Sequence, residues 1–268
     1  MKTRHKVILE IASYSDHGIK VDEISSQLGV SAVTVRRDLE QLEKDGMIIR
    51  IHGGAIAKSA IISSPVLRRK MRTNLKEKKE IARAALKLIG NHETIILCDG
   101  TTTYQICLLL KESPLELRVI TNDLNIALEL VGVKGVEMVV IGGRITDHYS
   151  IGGYLGEKLV EYIYSSSSSI DKAFIGADAI NLQDGLTSFN IEDVNIVNVM
   201  TRLAEKAIAV VDHTKFGNAK FTPLLPLDQI DTIITDSGIP EAEVEAYRSK
   251  GVSIIVAEPL TESYLSQT

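Results

Sequence analysis

Two adjacent arginines, Arg36 and Arg37, stand near the start of a segment with helical periodicity. Arginine can donate paired hydrogen bonds to guanine edges and to phosphate oxygens. The N-terminal part of a recognition helix is the part that meets base edges in the major groove of DNA. We therefore expect both arginines to contact DNA. The side chains expected at this interface are Ser31, Val33, Thr34, Arg36, Arg37, Arg50 and His52.

A second set of polar residues could hold a small phosphorylated polyol. Backbone N–H groups at the start of a helix, with threonine hydroxyls beside them, form a seat for phosphate, and Asp99-Gly-Thr-Thr-Thr103 offers both. Lys215 would add positive charge, while Asn122 and Asp178 could share hydrogen bonds with ligand hydroxyls. This set predicts a sugar phosphate as ligand. Its members are Asp99, Gly100, Thr101, Thr102, Thr103, Thr121, Asn122, Gly142, Gly143, Arg144, Gly152, Asp178 and Lys215.

A helix-turn-helix would position the arginine pair. Gly29 can adopt the positive φ that ends a helix, and Ser31 can cap the next one. The apolar stripe of that next helix recurs at i, i+4 and i+7, in Val35, Leu39 and Leu42. The buried sides of the two preceding helices are assigned to Val7, Ile8, Ile11, Ile24 and Leu28. These patterns predict three short helices around one small core.

A β-wing is expected to follow these helices. Residues 47–51 are rich in β-branched side chains, and His52-Gly53-Gly54 supplies a turn. Arg50 and His52 would then be placed to reach phosphate. The alternative is a plain helical bundle, because arginine pairs on exposed helix faces are usually only solvated.

The rest of the chain alternates apolar β-branched runs with helical patterns, which predicts an α/β fold with a mostly parallel sheet. The expected strands are Thr94–Cys98, Leu117–Ile120, Val136–Ile141, Lys172–Ile175, Ala207–Val211, Thr232–Thr235 and Ser253–Val256.

Polar, mostly glycine-containing clusters follow five of these strands, at residues 99–103, 121–123, 142–144, 176–178 and 212–217. In an open α/β sheet, the carboxyl ends of the strands line the ligand crevice, so these clusters should converge. Taken one at a time, such clusters are more often ordinary turns and helix caps. Gly152 in particular could simply mark the entry to a helix.

Charge divides the chain unevenly. Residues 1–80 carry 16 Lys and Arg against 10 Asp and Glu, whereas residues 81–268 carry 14 against 25. A basic first part on an acidic protein suits contact with DNA phosphates. We expect a winged helix-turn-helix domain over residues 1–56, a basic linker over 57–73 and an α/β domain over 74–268. A linker that is only solvated is the alternative to one that contacts DNA.

Several classes of function are disfavoured by composition. Cys98 and Cys107 are too few for a disulfide framework, and with no signal peptide evident they suggest a reducing, cytoplasmic setting. No apolar run approaches the ~20 residues that a membrane span requires. The histidines lack metal-ligand spacing. We therefore expect no membrane partner, metal or cofactor.

The chain resembles the DeoR family of bacterial transcriptional regulators over nearly its whole length. The first-domain motifs are Val30-Ser-x-x-Thr-Val-Arg-Arg-Asp-Leu39, Leu42-Glu-x-x-Gly46 and Arg50-x-His-Gly-Gly-Ala55. The second-domain motifs are Asn74-x-x-x-Lys78-x-x-Ile81-Ala82, Asp99-Gly-Thr-Thr102, Thr121-Asn-Asp123, Gly142-Gly143, Phe174-Ile-Gly-Ala-Asp178, Gly185-Leu-Thr187 and Lys215-Phe-Gly217.

This resemblance implies a sensor domain that is similar in fold to ribose-5-phosphate isomerase and binds phosphorylated sugars or their relatives. One departure concerns the helix after Gly185-Leu-Thr187. Where many relatives carry a lysine, this chain has Val197, with Asn195 and Asn198 nearby. The departure suggests an atypical effector.

A working sugar-phosphate isomerase is the alternative from another class. The isomerases read Asp-Gly-Ala-Asp-Glu where this chain reads Ile175-Gly-Ala-Asp-Ala179, so two of three carboxylates are absent. Proton transfer at carbon requires a positioned base. Asp212-His213-Thr214 lacks an evident third group that would orient the histidine, and we interpret it as structural. We therefore expect binding without catalysis and assign no catalytic residue.

The sequence thus predicts a repressor of a carbohydrate-utilisation operon. Its partners would be double-stranded operator DNA and a phosphorylated sugar. A homo-oligomer, dimer or tetramer, is expected because one small head reads few bases and paired heads increase affinity and specificity. A DNA-binding protein with a second domain that only oligomerises is a further alternative.

Overall fold

The computed structural model describes residues 3–13, 15, 18–57, 64–164 and 170–260. The chain divides into two compact units, one within residues 1–73, to which Leu260 also belongs, and one from Asn74 to Pro259. Among the described helices, none is both long enough and apolar enough to cross a bilayer.

The first unit is a winged helix-turn-helix. Its elements are α1 (Thr3–Ser13), β1 (Ile19–Lys20), α2 (Val21–Leu28), α3 (Ala32–Lys44), β2 (Ile48–Ile51), β3 (Gly54–Ala57) and α4 (Pro65–Arg72). The three strands form an antiparallel sheet in the order β1-β3-β2. Ile8, Ile24, Val35, Leu39 and Leu42 are fully buried in one core.

The turn between α2 and α3 forms as the sequence predicts. Gly29 ends α2 in the left-handed conformation, with φ of 62°. The Ser31 hydroxyl then accepts a hydrogen bond from the Thr34 N–H and caps α3. This cap fixes the start of the helix that carries Arg36 and Arg37.

The wing differs from the prediction by one strand. β1 pairs with β3 in addition to the expected β2–β3 hairpin. The approach is so close that a Cβ on Gly54 would lie 2.1 Å from the Ile19 carbonyl oxygen. Glycine at this position therefore permits the third strand.

The second unit is built on a seven-stranded parallel sheet in the order β15-β14-β12-β9-β4-β5-β6. Its strands are β4 (Thr94–Leu97), β5 (Leu117–Thr121), β6 (Val136–Val140), β9 (Ile170–Ile175), β12 (Ala204–Val210), β14 (Thr232–Thr235) and β15 (Ser253–Val256). The helices are α5 (Leu75–Leu86), α6 (Thr101–Leu110), α7 (Leu124–Leu130), α8 (Tyr154–Tyr164), α9 (Ile191–Arg202) and α10 (Glu241–Arg248). The predicted fold class, a winged helix-turn-helix followed by an α/β domain with a mostly parallel sheet, is confirmed.

Both faces of this sheet are covered, because successive side chains of a strand point to opposite faces. Ile95 and Leu97 of β4 belong to the core that includes Ile81 of α5 and Ile106 of α6. Ile96, between them, belongs to the core on the other face with α9.

The order of the strands reverses beside β4. Chain tracing proceeds from β4 to β5 and β6 on one side, whereas β9, β12, β14 and β15 lie on the other. Ligands of open α/β sheets bind outside the carboxyl ends of the strands at such a switch point. The switch point here lies between β4 and β9.

Three further features of the fold were not predicted. Helix α4 occupies part of the expected 57–73 linker, of which residues 58–63 lie outside the described part of the chain. A short hairpin pairs β7 (Arg144–Ile145) with β8 (Ile151–Gly152). A small antiparallel sheet contains β10 (Ala179–Asn181), β11 (Gly185–Ser188) and β13 (Thr222–Leu225).

Candidate DNA interface and ligand site

One face of α3 is exposed and carries both arginines. Arg36 and Arg37 are exposed, and Val33 before them is 58% exposed. Ser31 and Thr34 share a hydroxyl hydrogen bond of 2.9 Å at the start of the helix. These two side chains are therefore engaged in the helix cap, while Val33, Arg36 and Arg37 are presented outward.

The two predicted wing contacts, Arg50 and His52, differ in how exposed their side chains are. His52 is exposed at the tip of the β2–β3 hairpin. Arg50 is half-buried, and its Nε atom is buried without a hydrogen-bond partner in the described part of the chain. His52 is thus the more accessible of the pair.

A buried carboxylate joins α3 to α1. Asp38 accepts hydrogen bonds of 3.0 Å from Arg4 Nη2 and from His5 Nε2. Burial acts to raise the pKa of Asp38, but the hydrogen bonds from Arg4 and His5 outweigh it and hold this pKa below its usual value. Sequence reasoning missed this link, because Arg4 and Asp38 lie 34 residues apart.

The loops after β4 and β5 are joined by a reciprocal pair of hydrogen bonds. Asn122 Nδ2 donates to Asp99 Oδ1 at 2.9 Å, and the Asp99 N–H donates to Asn122 Oδ1 at 2.8 Å. Asn122 is fully buried; its carbonyl oxygen accepts from the Ile151 N–H of β8 at 2.6 Å, and its Nδ2 also donates to the Ile151 carbonyl oxygen at 3.4 Å. Asp99 itself is half-buried at the edge of the sheet.

The loops after β4 and β9 approach each other through two glycines. A Cβ on Gly176 would lie 3.8 Å from the Asp99 carbonyl oxygen and 4.0 Å from Gly100 Cα. Gly100 has a φ of 151° and directly precedes α6. The backbone is therefore closely packed at the switch point of the sheet.

Two of the four threonines of the predicted site are used in hydrogen bonds within the protein. The Thr103 hydroxyl donates to the Gly100 carbonyl oxygen at 2.8 Å, and the Thr121 hydroxyl donates to the Leu97 carbonyl oxygen at 2.6 Å. Thr102 is buried, whereas Thr101 is half-buried. Thr101 is thus the most accessible of the three threonines at the start of α6.

A carboxyl group that was not assigned to the site lies beside Asp99. Asp123 is buried, and Oδ1 accepts from the Asn125 N–H at 2.7 Å at the start of α7. Burial and then the charge of Asp99 raise the pKa of Asp123 to about 6. The sequence could have indicated Asp123, because it directly follows Thr121-Asn122 and precedes a helix.

The glycines after β6 serve the packing of the β7–β8 hairpin and α8. A Cβ on Gly143 would lie 2.8 Å from Ile151 Cγ2 and 2.9 Å from the Gly152 carbonyl oxygen. Gly152 belongs to β8 and pairs with the exposed Arg144 of β7. Gly143 thus has a structural reason to be glycine that is independent of any ligand.

Asp178 and Lys215 follow the adjacent strands β9 and β12. Asp178 is half-buried, and Oδ2 accepts from the Phe189 N–H at 3.1 Å and from the Ser188 hydroxyl at 3.3 Å. Lys215 lies in the 3₁₀ turn His213–Lys215. Its half-buried side chain makes no hydrogen bond or ion pair with any described residue.

His213 has an orienting group that sequence reasoning did not find. Its Nδ1 lies 2.7 Å from Oδ2 of the buried Asp236, at the end of β14. The expectation that nothing orients this histidine was wrong, because the partner comes from a neighbouring strand 23 residues later.

The two cysteines and the acidic groups give no sign of a metal site. Cys98 and Cys107 are free and buried, and burial raises the pKa of both thiols. Within the described ranges, no cluster of three or more His, Cys, Asp or Glu side chains could hold a metal ion.

A winged helix-turn-helix with an exposed recognition helix, followed by a parallel α/β domain, defines a two-domain DNA-binding regulator. The DeoR-like helix-turn-helix domain matches residues 4–60, and the DeoR C terminal sensor domain matches residues 73–237. The chain belongs to the DeoR family of transcriptional regulators, as its motifs predicted.

Individual relatives are transcriptional repressors. The HTH-type transcriptional repressor GlcR of Bacillus subtilis (strain 168) is 33% identical over 240 residues, covering 90% of each chain. The glycerol-3-phosphate regulon repressor of Escherichia coli (strain K12) is 30% identical over 238 residues, covering 88% of this chain and 91% of the relative. These names support the prediction of a regulator rather than an enzyme.

Among solved structures, ribose 5-phosphate isomerase A of Methanocaldococcus jannaschii aligns with a TM-score of 0.40 at 17% sequence identity. The alignment covers 54% of this chain and 55% of the isomerase.

Proposed function

We propose that this regulator represses a carbohydrate-utilisation operon and that a phosphorylated sugar, bound at the carboxyl edge of the α/β sheet, controls its affinity for operator DNA. The observation that carries the proposal is the convergence at the switch point. There, Asp99 and Asn122 are joined by hydrogen bonds, and Gly100 approaches Gly176. Such an edge is where open α/β sheets bind ligands.

The chemistry of this edge suits a phosphate group joined to a polyol. The start of α6 offers backbone N–H groups and the accessible Thr101 hydroxyl. Lys215 supplies a cation with no ion pair to a described residue, and Asp178 supplies acceptor oxygens for hydroxyl groups. The relative named as a glycerol-3-phosphate regulon repressor fits a ligand of this chemical class.

On the DNA side, the proposal assigns base and phosphate contacts to α3 and the wing. Arg36 and Arg37 are exposed on α3, and His52 is exposed at the hairpin tip. Val33 offers apolar contact to a thymine methyl group. The cap residues Ser31 and Thr34, with Arg50, would contribute mainly by placing the backbone of these elements.

A homo-oligomer is part of the proposal, and α8 offers a surface for it. Leu155, Leu159 and Tyr162 recur on one face of α8, with Leu155 75% exposed and Tyr162 81% exposed. Tyr154 beside them is also exposed. One buried tyrosine contributes about 150–250 Å², so two tyrosines and two leucines would supply much of the ~800 Å² per partner of a stable interface. A second copy of the chain is the proposed occupant.

The test is operator binding measured by fluorescence anisotropy in the presence of sugar phosphates. DNA from upstream of the chain's own gene serves as the operator candidate, at a stated salt concentration, because phosphate contacts make affinity salt-dependent. A change in affinity with one compound would support an effector-controlled regulator. If the compounds neither change DNA affinity nor raise the melting temperature, the second domain only oligomerises. We further propose that the protein acts in the cytoplasm, where operator DNA and phosphorylated sugars meet.

A further inference from the structure

The 3₁₀ turn that carries Lys215 is fastened to the first residue of the second unit. Asn74 Nδ2 donates to Asp212 Oδ1 at 2.9 Å and lies 3.1 Å from Thr214 Oγ1. The Thr214 hydroxyl in turn donates to Asp212. These three residues form a closed hydrogen-bonded triangle, which we call the Asn74 clasp.

The Asn74 side chain does not cap the helix that it precedes. It stands at the start of α5, where an asparagine side chain commonly caps the helix, but it makes no cap hydrogen bond. Its backbone is left-handed, with φ of 52° and ψ of 40°. The side chain is committed instead to a turn that lies 138 residues later in sequence.

The carboxylate at the centre of the clasp is well fixed. Asp212 is 1% exposed, and its Oδ1 also accepts from the Thr214 N–H at 3.1 Å. On either side, His213 is held by Asp236, and the ring of Phe216 packs edge-on against Tyr247 at 5.3 Å. Each of these other contacts comes from the interior of the α/β unit, whereas Asn74 is its first residue.

Asn74 differs from the other residues that hold this turn because the backbone before it leads to the DNA-binding domain. It directly follows Thr73, through which the backbone continues to α4 and the DNA-binding helices. Lys215, one residue beyond Thr214, is the cation assigned to the ligand phosphate. An anion that draws Lys215 toward the start of α6 would therefore displace or strain the clasp.

We propose that Asn74 is the positioning residue that couples the ligand site to the DNA-binding domain, by tying the Lys215 turn to the segment that enters that domain. This inference rests on the proposed function and adds the route of regulation. A ligand changes DNA affinity only when it favours one of two states, and the clasp would be an element that differs between them.

The test uses Asn74→Gly in the full chain, because glycine tolerates the left-handed backbone while removing the side chain that carries the amide. Thr214→Ala removes the hydroxyl from the other side of the clasp. The matched control is His92→Gly, since His92 is an exposed, left-handed residue with φ of 64° that lies outside the clasp. Hydrogen exchange is followed by mass spectrometry with and without saturating inorganic phosphate as the probe.

In the wild type and in His92→Gly, phosphate should slow exchange in residues 213–217 and also change exchange in residues 64–80. In Asn74→Gly and Thr214→Ala, the response of residues 213–217 should remain while that of residues 64–80 is lost. Where a sugar phosphate alters operator affinity, the coupling should fall from about tenfold or more to below about twofold in both clasp variants.

Two results would overturn the inference. One is an unchanged response of residues 64–80 in Asn74→Gly and Thr214→Ala. The other is a wild type in which only residues 213–217 respond, because phosphate then binds without transmission. A wild type that is silent in both regions and unaffected by any sugar phosphate would instead refute the proposed function, and the inference with it.

Discussion

Two buried carboxyl groups, Asp38 and Asp123, have opposite pKa shifts because the charges beside them differ. Asp38 has two basic side chains within 3.0 Å, and its pKa lies below the usual value despite burial. Asp123 has the carboxylate of Asp99 nearby, and its pKa is raised to about 6. The first group joins two helices of the DNA-binding unit, whereas the second caps α7 beside Asp99 of the predicted ligand site.

The raised pKa of Asp123 predicts a pH-dependent contribution to stability. Between about pH 4 and pH 6, the folded chain holds this proton more tightly than the unfolded chain does. The contribution is therefore present at low pH and is lost as pH rises through 6. Asp123→Asn keeps an acceptor for the α7 cap and never ionises. The melting temperature of Asp123→Asn minus that of the wild type should become larger between about pH 4 and about pH 7. A difference that does not vary with pH would contradict this prediction.

Arg37→Ala should weaken operator binding about 10- to 100-fold, the loss expected for a base-contacting arginine. The reason is that the substitution removes an exposed side chain from the part of α3 that is proposed to enter the groove. Lys44→Ala, at the other end of the same helix, is the matched control and should retain most of the affinity. Anisotropy titrations with operator and unrelated DNA measure both, and equal losses in the two variants would contradict the assignment.

Asp178→Ala should leave operator binding unchanged and weaken the response to the sugar phosphate at least about tenfold, because it removes the acceptor proposed for ligand hydroxyls. Asp171→Ala is the control. Asp171 lies at the opposite end of β9, where Oδ2 accepts from the Thr94 N–H at 2.8 Å. Calorimetric titration separates ligand affinity from DNA affinity. A full ligand response in Asp178→Ala would remove this residue from the site.

At the scale of elements, length and periodicity decide what the sequence can predict. All seven strands of the large sheet were predicted, since each contains an apolar stretch with β-branched residues. The two-residue strand β1 was not, because so short a strand has no periodicity and pairs with β3 some 35 residues away. Helix α4 was hidden by its basic composition, which we interpreted as linker.

The exposed stripe on α8 predicts an oligomer interface. Leu155→Glu should shift the protein toward the monomer, because it places a charge in the apolar contact. Leu128→Glu is the matched control, since Leu128 on α7 is also exposed, at 58%. Light scattering after size exclusion measures the mass. The interface would be located elsewhere if both variants kept the oligomeric mass of the wild type.

At the scale of the whole molecule, the sequence distinguishes a basic N-terminal part from an acidic α/β domain. The clusters at strand ends place the predicted site at the carboxyl edge of the sheet, because parallel strands bring their carboxyl ends together. The roles of individual side chains were less predictable. Thr103 and Thr121 are used in internal hydrogen bonds, and the partners of His213 and Asn74 come from distant segments. Such pairs form only when distant segments come together in the fold, so a local sequence pattern does not predict them.

The central claim is that a sugar phosphate bound by the α/β domain controls operator affinity. The most direct measurement is the anisotropy titration of the full chain on DNA from upstream of its own gene, repeated with a panel of sugar phosphates at fixed salt. We expect one compound to change the operator dissociation constant by about tenfold or more and to raise the melting temperature of the free protein. Tight, specific DNA binding that no compound alters, with no thermal stabilisation by any of them, would contradict the account.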